Sequence, residues 1–300
     1  MNLFSISELQ QYSGIKAHTI RIWEQRYNAL KPERSEGNTR YYDGAQLRRL
    51  LNIVSLKNDN FKVSELCTMS DEQLNNLLDE HLSKVSSSDA DTEYLVSQCI
   101  AAAMEFDGVK FDKFFSVAVQ RFGLKETYTQ VLYPMLVRLG IMWMKDAFPT
   151  AQEHFISNKI RQKLSAAIEA IPLSSQQAQQ TWVLFLLENE MHEIGLLLAY
   201  YLIQNAGHKV VYLGSNLPFS SLELAVKELN PSNLLFFLVR KNDAENDLAM
   251  IEQMKTTFPE QSIFMAADSN RLVMLKNSKK FKRLNTVEEL ENSIRTIVLN

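Results

Sequence analysis

Apolar positions along this chain change their spacing once. Through residue 171 they recur three and four apart, the period of helices. Beyond residue 181, short continuous apolar runs alternate with helical stretches. The first regime predicts a helix over 8–12 capped by Ser5 or Ser7 and broken at Ser13-Gly14. A second helix over 17–27 places Ile20, Trp23 and Tyr27 on one face. A turn-rich segment at 31–38 and a strand-like return at 39–42 follow. Asp43 then caps a helix with Leu47, Leu50, Leu51 and Val54 inward, and one or two more helices fill 61–83. From 92 to 171 the period is helical throughout, with breaks near Asp107-Gly108, Gly123, Tyr133-Pro134 and Phe148-Pro149, which predicts four or five helices packed as a bundle. The second regime predicts strands at 183–187, 209–213, 234–239, 262–266 and 281–284 with helices between, a right-handed parallel α/β sheet.

Two polar stretches punctuate this pattern, Ser86-Ser-Ser-Asp-Ala-Asp91 and Ser174-Ser-Gln-Gln-Ala-Gln-Gln180. They divide the chain into expected domains at 1–80, 92–172 and 181–300: a winged helix-turn-helix, a central four-helix bundle, and a Rossmann-like (flavodoxin-like) parallel sheet. A length of 300 residues suits two or three domains, and 46% hydrophobic with 22% charged residues suits globular folding. No apolar run approaches the roughly 20 residues of a membrane helix, and the start lacks the basic-then-apolar pattern of a signal peptide. Cys67 and Cys99, two and far apart, support neither a disulfide framework nor a zinc site, which fits a reducing cytoplasm.

Net charge is −3, but it is unevenly spread. Residues 1–62 hold ten Lys/Arg against six Asp/Glu, a local +4, whereas 181–300 hold twelve against fourteen. The basic excess lies where a phosphate-binding surface needs it, and its modest size predicts weak DNA affinity for one subunit. Two helices joined by a tight turn within 27 residues have helix-turn-helix spacing, whose second helix enters the major groove. Lys16, His18, Thr19 and Arg21 lie on its first turns. Arg34, Asn38, Arg40 and Tyr41 lie on the following hairpin, where they can clamp the phosphate backbone. A small helical scaffold with merely solvated arginines has the same spacing. The residues themselves favour the first reading. Ser5-Ile-Ser-Glu-Leu9, His18-Thr-Ile-Arg-Ile-Trp-Glu-Gln-Arg-Tyr27, Asn38-Thr-Arg-Tyr-Tyr42 and Gln46-Leu-Arg-Arg-Leu50 closely resemble MerR-type transcriptional regulators over roughly residues 3–75. The resemblance implies that Thr19, Arg21, Arg26 and Tyr27 lie on or beside the recognition helix, and Arg40 and Tyr41 on the wing. Many members dimerise through a long helix directly after this domain. The polar stretch at 86–91 interrupts any such helix, so dimerisation is expected from elsewhere.

The run Thr181-Trp-Val-Leu-Phe-Leu-Leu187 reads as a buried strand and 196–203 as a helix, so Glu190-Met-His-Glu-Ile-Gly195 is the loop between them. A histidine there stands where a parallel sheet presents its ligand-binding edge. Glu190, two residues before His192, can hold its other ring nitrogen, and Gly195 leaves room for something bulky. A plain cap or a hydrogen-bonded loop histidine has the same position. With no second histidine or cysteine near, a closed zinc site does not fit; a single axial ligand to a macrocycle-held metal does. Upstream, Trp143 precedes Glu153-His154, which as residues alone read as core and a helix start.

Trp, nine residues, then Glu-His, in a helical region before an α/β region with Glu-x-His-x-x-Gly, resembles the cobalamin-dependent photoreceptor repressors of the CarH type; 92–300 match in order and spacing. The resemblance implies cobalamin, as adenosylcobalamin, between bundle and sheet domain. In it His192 is the lower axial cobalt ligand, Glu190 orients that ligand, and Trp143 covers the upper face. Glu153 and His154 line the same space or a subunit contact. Met144 follows the tryptophan where the light-sensing relatives place a cobalt-capturing histidine. Such cobalamin domains also carry Ser-x-Leu near the third strand and Gly-Gly after the fourth, where the nucleotide tail inserts; here stand Phe236-Phe237 and Ala266-Ala267. The expected function is a DNA-binding regulator, a repressor without enzymatic activity or catalytic residues, with double-stranded DNA and cobalamin as partners and homo-oligomers formed by its C-terminal half. A corrinoid carrier for methyl transfer and a ligand-free dimerisation module remain alternatives.

Overall fold

The computed structural model describes residues 3–35, 37–57, 61–84, 89–143, 150–172, 180–239, 244–267 and 281–298. The chain divides into two compact units, 1–159 and 160–300.

In the first unit, helix α1 (Ile6–Ser13) begins at Ser5, whose hydroxyl accepts from the Glu8 N–H while the Glu8 carboxylate accepts from the Ser5 N–H, a reciprocal cap. Gly14 ends it in the left-handed conformation (φ 69°) that a side chain disfavours. Helix α2 (Ala17–Tyr27) buries Ile20 and Trp23. A short antiparallel hairpin, β1 (Glu33–Arg34) with β2 (Arg40–Tyr41), follows. It is tied to the start of the chain by paired backbone bonds between Phe4 and Tyr42 of 2.7 and 2.8 Å. Helix α3 (Gly44–Leu56) starts on Asp43, whose carboxylate accepts from the Gln46 N–H. Helices α4 (Val63–Thr68) and α5 (Asp71–Lys84) complete the small domain. Arg49 on α3 satisfies three carbonyls that helix ends leave open, those of Ala29, Cys67 and Met69, at 2.7–2.8 Å.

Helix α6 (Asp89–Met104) begins inside the stretch expected as a linker; residues 85–88 lie outside the described residues. It packs on α3 through a buried polar contact in which the Gln98 amide donates to Asn52 and Ser55 at 3.3 and 3.1 Å. Helix α7 (Gly108–Thr127) is capped by Asp107 and kinked at Gly123, whose φ of 78° is not helical. Between it and α8 (Tyr133–Trp143) runs a wide π-helical turn, Tyr128–Leu132. Pro134 explains that turn: it has no N–H for the i−4 carbonyl, and a wider turn absorbs the mismatch. Helix α9 (Thr150–Glu169) crosses the division between units. The breaks expected at 107–108, 123 and 133–134 are therefore a helix start, a kink and a π turn; the one at 148–149 lies outside the described residues.

The second unit is a five-stranded parallel sheet of β3 (Thr181–Leu187), β4 (Lys209–Leu217), β5 (Asn233–Leu238), β6 (Ser262–Ala267) and β7 (Phe281–Leu284), in the order β4-β3-β5-β6-β7. Helices α10 (Glu193–Asn205), α11 (Phe219–Leu229), α12 (Ala244–Thr257) and α13 (Val287–Val298) connect and flank it. This is the flavodoxin-like order, and residues 182–187 of the interior strand β3 are all buried, as a strand covered on both faces requires. Phe185 stacks on Phe236 at 5.7 Å, and Trp182 lies tilted against Phe264 at 4.8 Å. Strand β4 runs four residues past its expected end. Gly214 at φ 77° absorbs a register shift against β3, so a segment that reads as a turn stays in the sheet. The second polar stretch, 174–180, lies outside the described residues save for Gln180. Among the described residues no helix is long and apolar enough to cross a membrane.

Candidate functional site

Two groups of candidate residues lie in the first unit. On α2, Lys16, His18, Arg21 and Arg26 are exposed, and Thr19 and Tyr27 half-buried, on faces left open by buried Ile20 and Trp23. At the hairpin, Arg34 Nη1 donates to the Asn38 side chain at 2.6 Å, and Asn38 takes the left-handed conformation (φ 59°) of the tight turn. Arg40 Nε donates to Glu24 Oε1 at 2.8 Å and the Tyr42 hydroxyl to Glu24 Oε2 at 2.9 Å. Arg40 therefore joins the hairpin to α2, and this bond and the nearby charge of Glu24 raise its pKa. Glu24 carries no signal in the sequence, because an acidic residue on a helix signals nothing until its partner across the turn is known. Tyr41 is half-buried on the same hairpin. The second group is at the start of α9. Ser157 Oγ donates to Glu153 at 2.6 Å, and the exposed His154 has Nδ1 3.3 Å from Glu153. Trp143 is the last residue of α8; its side chain, and Met144 entirely, lie outside the described residues.

In the second unit Glu190, His192 and Gly195 come together at the crevice where the strand order reverses between β3 and β5. The Glu190 side chain is 1% exposed and the His192 side chain 58%. Glu190 Oε1 accepts from the Met191 and His192 N–H groups at 3.0 and 3.2 Å and is hydrogen-bonded to His192 Nδ1; Oε2 accepts from the Val239 N–H at the end of β5 at 2.8 Å. A buried carboxylate taking three backbone donors is held as the anion, so Nδ1 carries the proton and donates. That tautomer makes Nε2 the basic nitrogen of the ring. The backbone of the loop is fixed by two asparagines in the left-handed region. Asn189 (φ 64°) donates its N–H to Asn216 Oδ1 at 2.9 Å, and Asn216 (φ 57°), near the end of β4, donates its own to the Glu190 carbonyl at 3.2 Å. Neither was anticipated; an asparagine between two acidic residues is the only local trace.

Gly195 differs from its expected part. A Cβ there would lie 2.7 Å from Phe237 Cε1, so the room left by the missing side chain is filled from within. Phe236, on the opposite face of β5, is buried against Phe185. Among the described residues near His192, Met191 is 55% and Val239 47% exposed. One residue into α10, Glu193 accepts from the Tyr212 hydroxyl at 3.2 Å and lies 3.6 Å from Arg161; burial first and Glu193 second raise the Tyr212 pKa.

The sequence model described as MerR HTH family regulatory protein matches residues 4–73. Over 258 residues the chain is 25% identical to the HTH-type transcriptional repressor CarH of Myxococcus xanthus, covering 85% of each. It is 24% identical over 249 residues to CarA, a repressor of the same organism, covering 82% of this chain and 80% of that one. Among solved structures, the monomethylamine corrinoid protein of Methanosarcina barkeri superposes with a TM-score of 0.53 at 10% identity, over 70% of this chain and all of that one; the likeness is one of fold.

Proposed function

We propose that the chain, whose residues 4–73 match the MerR HTH model, is a transcriptional repressor whose DNA binding and oligomerisation are controlled by cobalamin. The Glu190–His192 pair carries the reading: a buried anion fixes the tautomer of an exposed imidazole at the switch point of a flavodoxin-like sheet. A single imidazole suits a cobalt ion whose equatorial ligands come with the cofactor. Bound, cobalamin would supply a light-sensitive cobalt–carbon bond and an exchangeable axial position. His192 Nε2 would be its lower ligand, Glu190 would hold that ligand, and Met191 and Val239 would meet the apolar parts of the corrin ring. Trp143, Glu153 and His154 are proposed for the opposite face or a subunit contact, following the relatives. Lys16, His18, Thr19, Arg21, Arg26 and Tyr27 would face DNA from α2, and Arg34, Asn38 and Tyr41 from the hairpin; Arg40 sets the hairpin's angle through Glu24. We take the functional modules to be residues 1–80, 92–172 and 181–300.

One reader with a modest positive charge binds weakly, and linking subunits makes the second contact intramolecular, so assembly is an effective control. The protein acts by binding, and the relatives CarH and CarA are repressors. The second reading, a ligand-free dimerisation module, is favoured by the Phe237 ring over Gly195. Gel filtration and absorption spectra with adenosylcobalamin, in darkness and after green light, separate the two. Under the cobalamin reading the wild type takes up the chromophore and changes elution volume, while His192→Ala does neither. Failure of the wild type to take up any corrinoid leaves the ligand-free module.

A further inference from the structure

On the cobalamin reading above, the ligand class narrows further. Cobalamin carries a nucleotide tail on its lower face, and the base at the end of that tail is itself a ligand for the lower axial position. When an imidazole of the protein takes that position, the displaced base must lodge somewhere beside it. The crevice between the start of α10 and the end of β5 lies beside His192, and Phe237 occupies it. A Cβ at Gly195 would meet three atoms of that ring, at 2.7, 3.1 and 3.5 Å, so the ring lies against the bare helix backbone with no room for a methyl group. The strand behind it is fixed: β5 sits between β3 and β6, Phe236 on its other face is buried against Phe185, and Val239 is bonded to Glu190. Outside the crevice, two apolar side chains close to His192 along the chain or through Glu190, Met191 and Val239, are about half exposed. A flat ring can rest on those two side chains, while a benzimidazole cannot enter the crevice that Phe237 fills.

We infer that Phe237 closes the tail crevice, so that this site takes a corrinoid by its ring alone and prefers corrinoids that lack the nucleotide tail, the cobinamide class. The physical reason is competition. In cobalamin the tethered base contests the axial position at high effective concentration, and nothing in the crevice rewards its displacement. In cobinamide the same position holds only water.

Absorbance titration of the full chain with adenosylcobinamide and adenosylcobalamin tests this. The wild type should bind adenosylcobinamide at least about tenfold more tightly, a modest share of the 10²–10⁴ that tethering can confer on the competing base. Phe237→Ala should tighten adenosylcobalamin by about tenfold or more, leave adenosylcobinamide within about threefold, and so narrow the gap. Phe237→Leu, gentler on packing, should move in the same direction by less. Equal binding, or preference for adenosylcobalamin, by the wild type would overturn the inference while leaving the corrinoid reading in place. Binding of neither corrinoid by wild type or variants would overturn both.

Discussion

Replacing Glu190 by glutamine keeps its shape and removes its charge. The carboxylate divides its bonds, with Oε1 taking Met191 N–H, His192 N–H and the imidazole, and Oε2 taking Val239 N–H at 2.8 Å. An amide has one acceptor oxygen. With that oxygen on the loop side, its NH₂ faces the Val239 N–H, donor against donor, in a position 1% exposed. Each orphaned buried donor costs about 1–3 kcal/mol, so the two that face each other in Glu190→Gln should destabilise the crevice by about 2–6 kcal/mol. Even the lower figure predicts backbone amides of β3 and β5 exchanging with deuterium about thirtyfold faster, which mass spectrometry of the peptides over 181–187 and 233–239 would read. The imidazole also loses its anionic partner, so corrinoid affinity should fall about 10- to 100-fold, the usual effect of removing a ligand's orienting group. Exchange within about threefold of wild type would refute the argument, since it would mean that the buried carboxylate's bonds contribute nothing to the crevice.

Further outcomes follow from the same geometry. Gly195→Ala should destabilise the second unit by about 1–3 kcal/mol through overpacking against Phe237, and in a double-mutant cycle Phe237→Ala should relieve most of that loss. Arg21→Ala should flatten the salt dependence of operator binding by about one unit of slope. Arg40→Ala and Glu24→Gln should weaken DNA binding to a similar extent as each other, because each breaks the same join between hairpin and α2; anisotropy titrations at several salt concentrations that found Glu24→Gln without effect would remove that join from the reading site. His208 is buried, and burial lowers its pKa from 6.5 despite the offsetting Ile294 carbonyl. The folded state therefore prefers the neutral ring, and its contribution to stability is full above pH 6.5 and lost as pH falls below it. Thermal melts from pH 7.5 to 5.5 should show a decline that His208→Leu reduces.

Much of this architecture is legible in residue order. The 17–27 helix and the caps at Ser5 and Asp43 depend on interactions within a few residues, and the structure has them where local periodicity and capping chemistry put them. Gly214-Ser-Asn216 carries turn residues, so the local pattern ends β4 at 213, and only pairing with β3 keeps the segment extended. Ser and Asp favour loops in isolation, so the local pattern makes the start of α6 a linker, yet Asp89 already belongs to a helix whose later residues pack on α3.

The candidate site divides in the same way. Glu190 and His192 are two residues apart, so the sequence alone determined that a carboxylate could orient that imidazole, and the strand–loop–helix pattern determined that both stand at the edge of a parallel sheet. What joins residues distant along the chain was decided by the tertiary structure. The Val239 N–H reaches Glu190 across 49 positions and Arg40 reaches Glu24 across 16. The side chain at 237 fills the space above the glycine at 195. A glycine specifies only that room exists; which group takes that room depends on how neighbouring strands and helices are brought together, a property of packing that no local pattern encodes.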